Sequence, residues 1–95
     1  MAEQSEVRHD QAGSRFVIAL AGQEAVLEYR LSGRVIDLHH TFVPESLRGR
    51  GLAEQLCKAA FEYAKANRLS VVPSCSYVSG AYLKRHQEYA PLVTS

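Results

Sequence analysis

The sequence predicts an α+β fold, a few antiparallel strands followed by a β-α-β unit and a short C-terminal helix. Three observations carry that expectation. Three apolar, β-branched runs separated by turn residues occupy Arg15 to Val43; Leu52, Leu56, Ala60, Tyr63 and Ala64 then recur at helical spacing; and a short apolar run follows at Leu69 to Val72. A strand, a helix and a second strand in that order form a parallel pair joined by a helical crossover.

Taken in order, Met1 to Gln11 is polar and carries three acidic residues, so residues 1–6 are expected to fray, with a short edge strand over Val7 to Asp10. Arg15 to Leu20 reads as a strand closed by a turn at Ala21-Gly22-Gln23-Glu24. Ala25, Leu27, Tyr29 and Leu31 alternate with Val26, Glu28 and Arg30, which gives the next strand one apolar face. Ser32-Gly33-Arg34 reverses the chain into Val35 to Val43, a strand that gathers Asp37, His39, His40 and Thr41 before Pro44 stops it. A helix is expected from about Gly51 to Ala66, with Lys65 and Arg68 suited to its negative end. After Leu69 to Val72 and Pro73, a second helix is expected over Val78 to His86, capped by Ser74 or Ser76. Tyr89 to Val93 reads as a docked apolar tail.

The chain of 95 residues holds one domain, residues 1–95, with a modest core. Hydrophobic residues at 46% and charged residues at 22% are the balance of a folded protein. Eleven basic residues against 10 acidic ones leave a net charge of +1, so no global field favours nucleic acid or a membrane. The absence of a long apolar run argues against a membrane span or signal peptide, and two cysteines are too few for a disulfide framework; a cytoplasmic protein is expected. A metal is not expected either, because neighbouring His39 and His40 point to opposite faces of a strand unless a bulge intervenes.

The chemistry concentrates at Leu47-Arg48-Gly49-Arg50-Gly51-Leu52-Ala53. Glycines at a strand-to-helix turn let a ligand approach the backbone, and a helix start offers unpaired N–H groups and partial positive charge. With Arg48 and Arg50 alongside, phosphate is the natural ligand. An ordinary tight loop with solvated arginines would produce the same local pattern. Cys75, between a strand and a helix, sits where a helix start favours thiolate, although a lone cysteine in an apolar setting is more often inert.

Arg48, Gly51 and Ala53 form an Arg-x-x-Gly-x-Ala pattern that resembles the acetyl-CoA-binding segment of the GNAT superfamily of N-acetyltransferases. His40-Thr41 with Val43-Pro44, Pro73, Cys75, Tyr82 and Arg85-His86 extend the likeness over most of the chain, to that superfamily's short single-domain branch. The resemblance implies a minimal GNAT-like fold and transfer of an acetyl group from acetyl-CoA to an amine acceptor of unknown identity, small molecule or protein. It further implies a pyrophosphate held by Arg48, Gly49, Arg50, Gly51, Leu52 and Ala53, cofactor contacts from Thr41, Val43, Tyr82 and Arg85, and a site containing Cys75 and His40 as catalytic groups, His40 being a base toward the amine or a support for Cys75. Phe42 and His39 depart from that branch, where an acidic residue and Asp are usual, so a cationic acceptor meets less negative charge. The competing readings are a non-catalytic acyl-CoA-binding or interaction module, and a phosphate or RNA-binding domain that near-zero net charge disfavours. A monomer or weak homodimer is expected.

Overall fold

The computed structural model describes residues 6–94, so the expectation for Met1 to Ser5 lies outside the described residues. Five strands form one sheet in sequence order: β1 (Arg8–Asp10), β2 (Arg15–Leu20), β3 (Gln23–Ser32), β4 (Val35–Phe42) and β5 (Ser70–Val72). The first four are antiparallel neighbours and β5 runs parallel to β4. Helix α1 (Leu52–Ala66) makes the crossover between β4 and β5. The expected α+β architecture is therefore present.

The turns are tighter than their sequence clusters suggested. Ala21 and Gly22 alone join β2 to β3, with φ of +54° and +74°, the left-handed pair that matches the twist of a two-residue hairpin. Gln23 and Glu24, expected in the turn, pair with Leu20 and Ala19 instead.

One face of the sheet buries its apolar residues against α1. Phe16 and Ile18 of β2, Ala25, Leu27 and Tyr29 of β3, and Ile36 and Leu38 of β4 meet Leu52, Leu56, Cys57, Ala60, Phe61 and Ala64. Side chains on that helix stripe are removed from water at about 25 cal/mol per Å² of apolar surface, which holds the crossover on the sheet. Leu31 departs from the expected apolar face: it is 47% exposed and lies outside the core, whose last member along that strand is Tyr29. At the far end of α1 the chain leaves the helix through Asn67, whose amide donates to the Tyr63 carbonyl, and Arg68, which takes a left-handed φ of +56°.

The C-terminal helix, α2, starts at Tyr77 with a π-wound stretch (Tyr77–Tyr82) and finishes as an α turn (Leu83–Arg85). The Leu83 N–H bonds the Val78 carbonyl five residues back, which widens the helix where it passes Phe61. Ser76 precedes it without a side-chain cap bond, contrary to the expected serine cap. A 3-10 stretch (Gln87–Leu92) buries Tyr89 against Phe61, and the Thr94 N–H reaches the Val71 carbonyl, so the tail docks as expected. Among the described residues no helix is long and apolar enough to cross a membrane.

Candidate active site

The site begins with an irregularity in β4. Tyr29 opposes Leu38, but the next residue back along β3, Glu28, opposes His40, so His39 is an extra residue on β4. The bulge inverts the alternation of side chains beyond it. Leu38 and then Thr41, opposite buried Leu27, point to the helix side, while His40 shares the outer face with Glu28. β5 pairs with β4 only as far as Asp37 and Val72; beyond them the Leu38 carbonyl receives the Cys75 N–H at 2.9 Å.

That handover places Cys75 against Thr41. Thr41 Oγ1 lies 3.4 Å from Cys75 Sγ. Partial burial acts to raise the thiol pKa, but the Thr41 hydroxyl and the backbone N–H groups of Val78, Tyr77 and Thr41 all face the sulfur, and together they hold it below its ordinary value. Donors from the start of α2 stabilise the charged form, as at other helix N-termini. Cys57 is the opposite case: fully buried on α1, its thiol is pushed up to about 12, chiefly by desolvation. The two free cysteines thus sit in opposite electrostatic surroundings.

After β4 the chain enters a 3-10 turn (Glu45–Leu47) anchored by buried Leu47. Arg48 folds back so that its Nε donates to the Val43 carbonyl at 3.1 Å, and Ser46 Oγ donates to Gln23 Oε1 at 3.0 Å. Gly49 and Gly51 follow with φ of +84° and +75°, a region in which side chains are strained. Apart from the adjacent residues, no protein atom lies within 4 Å of where a Cβ would sit on either. An internal side-chain clash on substituting Gly51 is therefore absent, and the reason for glycine is backbone conformation. Gly51 is the N-cap of α1 and no side chain caps it, which leaves the first-turn N–H groups without a side-chain partner on an open side.

Val43, Arg48, Gly49, Gly51, Leu52, Ala53 and Arg85, all expected to contact the ligand, line one cleft of about 480 Å³. Glu54 and Tyr77 line it too and were not singled out for it by sequence. Glu54 is the acidic residue in the first turn of α1, and it binds Arg85 Nη1 through Oε2 at 2.8 Å. An acid at that position normally complements the helix end, so nothing in the local sequence marked it as the partner of a residue 31 positions away.

Three expected ligand contacts lie elsewhere: Arg50, Tyr82 and Thr41, the last of which meets Cys75. Arg50 lines a neighbouring cleft of about 410 Å³ that shares Gly51 and Glu54 with the first. Tyr82 borders that second cleft but is only 1% exposed, stacked between Phe61 at 5.6 Å and His86 at 4.3 Å between ring centroids. Burial pushes its phenol pKa upward. Tyr82 is thus a core residue, and its hydroxyl is not presented to the first cleft. His40 is exposed on the outer face, so it does not support Cys75, which lies with Thr41 on the helix side.

Among the described residues there is no group of three or more His, Cys, Asp and Glu side chains arranged to hold a metal.

Residues 15–92 match the family of GCN5-related N-acetyl-transferases. Protein NATD1 of Homo sapiens is 39% identical over 83 residues, covering 84% of this chain and 73% of that protein. Protein NATD1 of Gallus gallus is 38% identical over 84 residues, covering 85% and 76%. A GCN5-like protein from Staphylococcus aureus, solved by NMR, superposes with a TM-score of 0.72 at 28% identity, covering 95% of this chain and 88% of that one. With a match across most of its length and the same fold, the chain belongs to the GCN5-related N-acetyltransferase family.

Proposed function

We propose that the protein transfers an acetyl group from acetyl-CoA to an amine. The observation that carries this reading is the uncapped start of α1, opened by left-handed Gly51 and lining a cleft with Arg48 and Arg85. Backbone N–H groups, the helix dipole and two guanidinium groups suit a pyrophosphate. The family match supports acetyl-CoA as the donor.

In the transfer, the neutral amine attacks the thioester carbonyl carbon. The new C–N bond forms, the C–S bond breaks, the electron pair leaves on the CoA sulfur, and the amine proton passes to a base. Cys75 lines the acyl end and does not take the group. His40 projects from the outer face, away from Cys75, so water is the base we assign to the amine proton.

Calorimetric titration with acetyl-CoA, CoA and ADP, run alongside Gly51→Asp, tests the reading. Binding of all three by the native chain, lost in the variant, is the expected result. Absence of binding to the native chain would end the acetyl-CoA assignment. Retained turnover in Cys75→Ala is expected for direct transfer, whereas an acetylated Cys75 trapped by mass spectrometry would replace it with a covalent route.

A further inference from the structure

Thr41 was expected to contact the ligand, yet it is absent from the lining of the cleft and its hydroxyl instead meets a sulfur 34 positions away in the chain. The groups around Cys75 Sγ differ in what they can do. The N–H groups of Thr41, Tyr77 and Val78 are donors only. A hydroxyl both donates and accepts. When the sulfur carries a proton, Thr41 Oγ1 is the one acceptor among these contacts; when the proton has left, the same hydroxyl turns and becomes a fourth donor.

We propose that Thr41 is the positioning residue of Cys75, its hydroxyl reversing its hydrogen bond with the protonation state of the thiol so that the sulfur stays fixed at the start of α2 in both states. The backbone supports the arrangement independently. The Cys75 N–H is tied to Leu38 on the strand that carries Thr41, and the Cys75 carbonyl accepts from the Ser79 N–H at 3.1 Å and from Ser79 Oγ at 3.4 Å. The bulge at His39 is what brings Thr41 to this side: with regular alternation, position 41 would project from the outer face. The other titratable groups near the sulfur, Cys57 of α1 and Tyr77 of α2, are both shifted upward, mainly by burial, and stay neutral through the neutral pH range. They neither compete with the hydroxyl nor supply charge.

The inference concerns the thiol itself and extends the proposed function without needing a bound acyl donor. Its test is the rate of Cys75 alkylation by iodoacetamide across pH 5 to 10, expressed in about tenth-unit to unit steps, for the native chain, Thr41→Ser, Thr41→Val and Thr41→Ala. Cys57 is fully buried, and Cys75→Ala supplies its background. Thr41→Val is expected to move the midpoint of the profile to higher pH and to slow alkylation several-fold at neutral pH; Thr41→Ala does the same if the bulkier variant fails to fold. Thr41→Ser, which keeps the hydroxyl, is expected to keep the native midpoint. Native profiles in folded Val or Ala variants, or a Ser profile that matches theirs, would overturn the proposal. Failure of the chain to bind acetyl-CoA would leave these profiles unaffected, so the two readings fail separately.

Discussion

Arg85 Nη1 and Glu54 Oε2 stand 2.8 Å apart and join α2 to the first turn of α1 at the cleft. The pair sets a guanidinium beside the proposed phosphate position and neutralises much of it. Arg85 is 60% exposed at its side chain, so solvent screens the bond and its contribution to stability is small. Its effect on an incoming anion is larger, because Glu54 adds negative charge at the helix end that the anion would occupy. Glu54→Gln is expected to strengthen ADP binding several-fold at low salt, with the gain shrinking as ionic strength rises. Titration of ADP at two salt concentrations checks it, and unchanged or weaker affinity would show that Glu54 orients Arg85 and does not oppose the ligand.

Gly51 separates backbone strain from ligand repulsion. At φ of +75° with open space around the missing Cβ, Gly51→Ala is expected to cost about 1–2 kcal/mol of stability through conformation alone. Gly51→Asp adds a negative charge facing the cleft and is expected to lose ADP affinity well beyond the alanine variant. Thermal unfolding and calorimetry on both variants distinguish the terms.

Phe61 holds the two helices and the tail together. It is fully buried and stacks on Tyr82 at 5.6 Å and Tyr89 at 5.0 Å. Truncation to alanine is expected to destabilise by about 3–5 kcal/mol, a loss comparable to the whole stability of a small domain. Urea unfolding of Phe61→Leu, a milder cut, gives a measurable midpoint if the alanine variant does not fold.

His9 makes stability depend on pH. Its ring stacks on Phe16 at 4.1 Å and bonds the Tyr29 hydroxyl at 2.6 Å. Burial lowers its pKa from the ordinary 6.5, against a smaller upward pull from Asp10. The fold therefore favours the neutral ring. Its contribution is complete above the unfolded value of 6.5 and is lost as pH falls through the lower folded value. Asp10 acts the same way in a separate window: its pKa is depressed below 3.8 by the Gly13 N–H and Arg15, so its contribution is lost only at more acid pH. His9→Phe is expected to flatten the first decline and leave the second, as read from unfolding midpoints between about pH 2 and 8 in steps of about half a unit. A native-like slope in the variant would assign the first decline to another group.

Much of this protein is legible in the sequence alone, because the signals involved act over a few residues. A β-branched and aromatic run marks β2, period two marks β3, period 3.6 marks α1 to within one residue of Leu52–Ala66, and Gly49 and Gly51 mark the turn that only their dihedrals permit. Arg48, Gly51 and Ala53, singled out in the sequence, line one cleft.

Tertiary structure decided which residues meet there. Whether His40 or Thr41 faces the helices depends on one extra residue in β4, and a bulge exists only relative to a partner strand, so no property of Leu38 to Phe42 by themselves determines it. Tyr82 is buried between Phe61 and His86, and Leu31 stays exposed outside the core. Glu54 and Arg85, or Thr41 and Cys75, are far apart along the chain and adjacent in space. Local periodicity sets which face of an element is apolar; packing of one element on another sets which polar groups are left to share a site.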